Sequence, residues 1–218
     1  MDLPFIWTPP TEADIQACAL CQDAPALAGV HSAYNGLEGN DHLQQPYVYE
    51  RVFTPEQCAR IRELGGAQRL WKGRSSSEDD EYRVCKTSWL EETSETVFIY
   101  ARLREVVASV NGLYGLELTG FGEPFHYICY EPGGHFGWHT DLGVGPMSTR
   151  KISISVQLSD AAGYHGGDLE FCPHGEVERF RGLGNVIAFP SYIAHSVTPV
   201  TSGNRHALVA WIHGPRFR

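Results

Sequence analysis

From Pro124 onward the chain is cut into short runs rich in β-branched and aromatic residues, and this pattern restricts the fold more than any other feature of the sequence. The runs are Pro124–Tyr130, Lys151–Leu158, Asp168–Phe171, Val177–Phe180, Val186–Phe189, Val197–Val200 and Ala207–Ile212. Turn residues separate them at Pro132-Gly133-Gly134, Gly163, Gly166-Gly167, Pro173, Gly182, Gly184 and Gly203. A lone extended run leaves its backbone donors and acceptors unpaired, so many short runs must pair into a sandwich or barrel. Within Lys151–Leu158 apolar and polar residues alternate. One side of that strand is therefore expected to pack on helices or core and the other to line a polar cavity.

The first half reads differently. Thr11–Leu20 suits a short helix, and His31–Pro46, rich in Gly, Asn and Gln, reads as a loop or cover. At Thr54-Pro55-Glu56-Gln57 a capping residue, a proline at the first helical position and a glutamine completing a capping box predict a helix that ends near Gly65-Gly66. Arg74–Glu81 reads as a solvated loop before a strand over Tyr82–Leu90. From Ser94 to Gly112, Val97, Ile99, Tyr100, Leu103, Val106, Val107 and Val110 recur at helical intervals, with Arg102, Arg104 and Glu105 spaced to face water. The expectation is a mostly β protein with N-terminal helices, its domain spanning residues 47–218. Residues 1–46 form a partly helical N-terminal extension packed on or covering the core.

Composition narrows the function classes. The 26 acidic against 17 basic residues give a formal charge of −9, which argues against general affinity for nucleic acid or anionic membrane and favours a small-molecule, peptide or protein substrate. No stretch reaches the roughly 18 apolar residues that cross a bilayer, and the first residues lack an export signal. A cytoplasmic protein is expected. Six scattered cysteines, at 18, 21, 58, 85, 129 and 172, do not make a disulfide framework, so reduced thiols are expected. Cys18 and Cys21 have the spacing of zinc and redox sites, but no second pair accompanies them.

His139 and Asp141 stand one residue apart, and side chains at that spacing on a strand project from one face and reach one ion together. His195 follows in a separate strand region. Two imidazoles and a carboxylate suit Fe(II) and leave its opposite face open, whereas thiolates would favour zinc or copper(I). Arg205, near the head of the last strand, is placed to hold a carboxylate bidentately. His135 is excluded as a ligand because Gly133, Gly134 and Gly137 oppose the helix that would align it with His139. His126, His165, His174, His206 and His213 lack a matching partner pattern and read as structural or exposed.

Several stretches in order resemble the iron(II)- and 2-oxoglutarate-dependent dioxygenases, specifically the prolyl 4-hydroxylase-like branch: Arg83–Leu90, His126–Gly134 leading into His139-Thr140-Asp141, Gly166–Phe171, Pro199–Arg205 and Trp211–Gly214. The resemblance covers residues 47 to 218 and implies a double-stranded β-helix (jelly roll) core. It implies that His139, Asp141 and His195 bind iron, that Arg205 and Tyr130 hold 2-oxoglutarate, with Gln157 where relatives carry a tyrosine, and that Arg83, Trp89 and Trp138 face the substrate. The cofactor set it implies is Fe(II), 2-oxoglutarate, dioxygen and ascorbate as a stimulant. The reaction it implies is hydroxylation of a C–H bond on an amino-acid side chain, free or in a peptide, with proline the leading guess and succinate and CO2 released. Asp141 favours hydroxylation over halogenation, since related halogenases have a small residue there. The alternatives are a non-catalytic metal-binding jelly-roll sensor or binding module and, third, a cupin-type enzyme, which usually shows His-x-His and a Glu.

Overall fold

A computed structural model describes residues 30–32, 41–73, 82–172, 175–176 and 178–217. The expected helix Thr11–Leu20, the Cys18 and Cys21 pair, and the loop Arg74–Glu81 lie outside these residues. Two α-helices precede most of the strands. The first, α1 (Pro55–Ala67), begins at the expected capping box: the Gln57 N–H donates to Thr54 Oγ1 at 3.2 Å and the Thr54 N–H to Gln57 Oε1 at 2.9 Å. The second, α2 (Val97–Tyr114), stops at Gly115, which takes φ 64° and donates its N–H to the Asn111 carbonyl at 2.8 Å.

The strands are β1 (Val30–Ser32), β2 (Tyr47–Tyr49), β3 (Trp71–Lys72), β4 (Arg83–Val84), β5 (Lys86–Leu90), β6 (Gly120–Phe121), β7 (Phe125–Tyr130), β8 (His135–His139), β9 (Arg150–Gln157), β10 (Tyr164–Gly166), β11 (Leu169–Phe171), β12 (Gly175–Glu176), β13 (Val186–Pro190), β14 (His195–Val197), β15 (Val200–Gly203) and β16 (Arg205–His213). A large sheet runs β1-β2-β13-β9-β16-β7-β5-β3, with β6 beside β16. A smaller one runs β12-β11-β14-β8-β4, and β10 pairs with β15. These antiparallel sheets, stacked and flanked by helices, are the jelly roll expected above.

Two apolar clusters fill the layers. Ile61 of α1 and Phe98, Leu103, Val106 and Val110 of α2 close over Ile152, Ile154, Val156 and Leu208 of the large sheet, all fully or almost fully buried. Each such aliphatic side chain contributes roughly 1.5–3 kcal/mol of burial. The second cluster, including Ile128, Leu169, Phe171, Ile187, Phe189 and Val197, joins the two sheets. The four described cysteines, Cys58, Cys85, Cys129 and Cys172, are free. No helix among the described residues is long and apolar enough to cross a membrane.

Four local expectations are corrected. Tyr82–Leu90 is two strands, because the chain changes sheet at Cys85: β4 pairs with β8 and β5 with β7. Val197–Val200 is likewise divided between β14 and β15, with Thr198 and Pro199 between them. Val177–Phe180 is not a strand: Glu178–Arg181 form a 3-10 turn that buries Phe180 against Phe171 and lets Arg181 donate to the Asp168 carboxylate and the Tyr164 and Gly166 carbonyls. The described part of His31–Pro46 is regular structure and not a loop throughout, since β1 pairs with β2 and Asp41–Gln44 form a 3-10 turn.

Candidate metal centre

Alternate residues of β16 form one side of a cavity of about 380 Å³ between the two sheets. Their cross-strand partners extend each of them into a row: Arg205 opposite Tyr130, Ala207 opposite Ile128, and Val209 opposite His126, which itself faces Trp89 across β5. Trp211 follows opposite Ser153. Successive rows lie about 7 Å apart, the rise of two strand residues. The cavity therefore has a cation at one end and aromatic rings at the other.

The small sheet supplies the facing wall. His195 of β14 lies directly opposite His139 of β8, and their ring centroids are 4.2 Å apart. Strand β8 carries a bulge here: Gly137 and Trp138 together oppose Ser196, so Phe136 and His139 turn to the same side and stack at 3.6 Å. Gly137 is required at this bulge, since an added Cβ would come within 2.6 Å of the Tyr82 ring. The expectation that Asp141 shares a strand face with His139 needs correction, because β8 ends at His139 and Asp141 sits in the bend that follows. The bend still brings the carboxylate to 3.9 Å from His139 Nε2 and 3.7 Å from His195 Nε2.

The second nitrogen of each imidazole fixes its tautomer. His139 Nδ1 donates to the Gly137 carbonyl at 2.8 Å and His195 Nδ1 to the Ile193 carbonyl at 3.0 Å. A carbonyl can only accept, so both protons sit on Nδ1 and both Nε2 lone pairs are free. Asp141 Oδ2 is buried without a hydrogen-bond partner. Burial pushes that carboxyl up, but the imidazoles of His195 and His139, with Ser153 and Trp211 nearby, hold it below the ordinary value and so ionised. Burial and the neighbouring His195 push His139 down to about 4, which keeps it a neutral ligand. Among the described residues these three form the one cluster of metal-binding groups, with ligand atoms within 4.8 Å of one another. Two bare nitrogens and an orphaned carboxylate oxygen fit a ferrous ion.

At the far end Arg205 is 2% exposed. Among the described residues it pairs with no carboxylate, and its hydrogen bond is from Nη2 to Gln157 Oε1 at 3.1 Å. A buried guanidinium without a counter-anion is costly, and an anionic ligand would relieve it. Gly167, at φ 66°, lets the chain pass close by, since a Cβ there would lie 2.8 Å from Val200 and 3.1 Å from the Arg205 side chain. Tyr130 lines the cavity with its ring 5.4 Å from the guanidinium, and burial pushes its hydroxyl up to about 12, so it remains a donor. Gln157 does not line the cavity. It orients Arg205 instead.

Arg83 and Trp89 line the cavity. The Arg83 guanidinium lies 4.7 Å from the Phe136 ring centroid, and Trp89, 43% exposed, stacks on His126 at 4.3 Å. Trp138 is brought to the surface instead: the bulge turns it outward, 48% exposed and outside the cavity lining. Of the histidines read as structural or exposed, His126 is buried. It lies in the cavity wall between Trp89 and Trp211, its Nδ1 has no partner, and burial beside Arg83 pushes it down to about 3. His213 and two residues not singled out in the sequence, Glu123 and Arg150, form a network at this end. Arg150 Nε and Nη2 each donate to Glu123 at 2.7 Å, and His213 Nε2 lies 3.2 Å from the same carboxylate. Burial raises the Glu123 carboxyl, but His213 and Arg150 outweigh it and hold it near 2. His135 lies outside the metal-binding cluster.

The family model of the 2OG-Fe(II) oxygenase superfamily matches residues 125–213. A PKHD-type hydroxylase from Synechococcus is 40% identical over 82 residues, spanning 37% of each chain. One from Crocosphaera subtropica is 33% identical over 173 residues, covering 75% of this chain and 76% of the relative. Among solved structures, a Pseudomonas putida prolyl-4-hydroxylase superposes with TM-score 0.59 at 18% identity, covering 93% of this chain and 99% of that one. A Trichoplax adhaerens prolyl hydroxylase in complex with a hypoxia inducible factor peptide fragment gives 0.60 at 14% identity, covering 93% and 91%. At these identities the structures share the fold.

Proposed function

Since the chain belongs to the 2OG-Fe(II) oxygenase superfamily, we propose that it hydroxylates an unactivated C–H bond of an amino-acid side chain, free or in a peptide, and converts 2-oxoglutarate and dioxygen to succinate and CO2. Proline is the leading substrate, on the strength of the PKHD-type hydroxylase relatives and the prolyl hydroxylase likeness. The observation that carries the reading is a buried arginine without an acid partner at the other end of one cavity from a His-Asp-His cluster. A keto-diacid would use both features of this cavity, with one carboxylate on Arg205 and its keto-acid end toward the metal ligands.

His139 and His195, through Nε2, and Asp141, through its carboxylate, would hold Fe(II). The bound iron supplies the oxidising chemistry that activates dioxygen. Arg205, steered by Gln157, anchors the distal carboxylate by a charge-assisted fork, and Tyr130 donates a hydrogen bond beside it. Phe136, Phe171 and Phe189 pack around the two histidines and keep bulk water from them. Trp89, Arg83 and Trp211 border the space left for the substrate, where a C–H bond is oriented toward the metal face. Incubating the protein with Fe(II), 2-oxoglutarate and proline-containing peptides or free proline tests the reading. Succinate and a +16 Da product are expected, both lost in His139→Ala. Succinate formation that persists in His139→Ala would remove the assignment.

A further inference from the structure

Asp141 lies past the end of β8, where no sheet ladder holds it, yet its carboxylate must meet two histidines that the ladder holds rigidly. Two contacts fix its backbone: the Leu142 N–H donates to the Ser191 carbonyl at 2.8 Å, and Arg150 Nη1 donates to the Asp141 carbonyl at 3.2 Å. Nε and Nη2 of that guanidinium donate to Glu123, so Arg150 bridges a carboxylate and the metal ligand's own main chain. Glu123 is braced in turn. A carboxylate here only accepts, so a His213 proton sits on Nε2, and His213 Nδ1 lies 2.9 Å from the hydroxyl of Thr149, the neighbour of Arg150. The indole of Trp211 covers the guanidinium, 3.8 Å from ring centroid to Cζ, and Arg150 is 7% exposed.

We propose that Arg150, braced by Glu123 and His213, is a positioning residue of the metal centre that sets its affinity by gripping the backbone of Asp141. The proposal rests on the reading of His139, Asp141 and His195 as metal ligands. Only a planar fork can span both acceptors: lysine offers a point charge that satisfies Glu123 or the Asp141 carbonyl but not both in fixed geometry. Partners that orient metal ligands are typically worth 10–100-fold in affinity.

The test uses Co(II), an air-stable stand-in for Fe(II), with calorimetry for affinity and visible absorption for ligand geometry, on the full chain and its Arg150→Gln, Arg150→Lys, Glu123→Gln, His139→Ala and Arg60→Gln variants. Arg60, in an exposed ion pair with Glu63 and Glu95, is the remote control. Arg150→Gln and Arg150→Lys are expected to bind at least tenfold more weakly with an altered Co(II) spectrum, Glu123→Gln severalfold more weakly, and Arg60→Gln like the parent. A merely structural role would lower the melting temperature of the metal-free variants and leave affinity and spectrum unchanged, and that result overturns the proposal. If Arg150→Gln does not fold, Arg150→Lys and Glu123→Gln decide by the same criteria. Absent Co(II) binding by the parent, or equal binding by His139→Ala, would instead fell the metal reading beneath it.

Discussion

Along β9, Ile152, Ile154 and Val156 are sealed beneath the helices, while Ser153, Ser155 and Gln157 occupy the opposite face, from which Ser155 lines the cavity and Gln157 holds Arg205. The same strand thus contributes to two environments of opposite economy. On the helix side, buried hydrocarbon meets hydrocarbon and each contact adds stability. On the cavity side lie a guanidinium without an acid, an imidazole nitrogen without a partner and a carboxylate oxygen without a donor, each unfavourable until a ligand arrives. The contrast teaches that the helix layer carries the fold through the cost of a site prepared for charge.

The sharpest break of that contrast is Arg205→Gln, which removes a charge that the folded chain must bury. Affinity for 2-oxoglutarate is expected to fall by about 2–5 kcal/mol, the cost of truncating one side of a buried charge pair. The ligand-free protein should become more stable, opposite in sign. Calorimetric titration and a urea midpoint measure both, and a destabilised ligand-free variant would count against the buried-cation argument. Leu103→Ala should do the converse, costing about 2–5 kcal/mol of stability with cosubstrate affinity unchanged in the folded fraction.

Acidity probes chiefly the cavity side. His139 is held near 4 and His126 near 3, whereas an unfolded histidine titrates near 6.5. As pH falls below about 6.5 the unfolded chain takes up protons that the folded one refuses, so the metal-free protein loses stability from there toward pH 4. His206, also held below its ordinary value by burial, adds a further contribution in the same direction; His126→Phe removes one of the three and should flatten the decline. A urea midpoint independent of pH between 7 and 5 would contradict it. The smallest effect is expected at Trp138→Ala, within about 0.5 kcal/mol of the parent in stability, as for most surface changes. Its KM for a hydroxylated peptide should also hold steady, while Trp89→Ala raises that KM; a rise with Trp138→Ala would put the outer tryptophan back among the substrate contacts.

The capping box of α1, the α2 stripe and the pair His139 and Asp141 were legible because each depends on local chemistry or on residue type at short range, whereas His195, in a separate strand region, was joined to the pair by its residue type and by the family resemblance. Two further residues, one in the cavity wall and one in the network beside it, were within reach of the same reasoning. Strand parity from Tyr130 puts His126 on its face, and parity from Arg205 puts His213 on the face of Trp211, so a residue-by-residue count along β7 and β16 would have found both. Arg150 was not legible. By simple alternation it belongs with Ile152 and Ile154, but β9 bulges at Lys151: Ile212 pairs with Ile152 and His213 with Arg150. Bulges depend on the partner strand and leave no pattern in one segment. Asp141 was selected by a strand argument although it lies in a bend, where a short path from His139 does the work that pleating was expected to do. The 3-10 turn at Glu178–Arg181 was hidden for a related reason, since Phe180 and Arg181 are drawn inward by distant partners.

The bulge at Lys151 makes the length of this segment matter more than its composition. Inserting one residue between Ile212 and His213 would give Lys151 a partner, restore an unbroken pleat and swing the Arg150 guanidinium out of reach of Glu123 and in among Ile152, Ile154 and the α2 side chains. Exchanges at position 151 leave the spacing intact, whereas a single-codon insertion opposite it in β16 would unmake the ligand geometry and put an ion into the hydrocarbon layer at the same stroke.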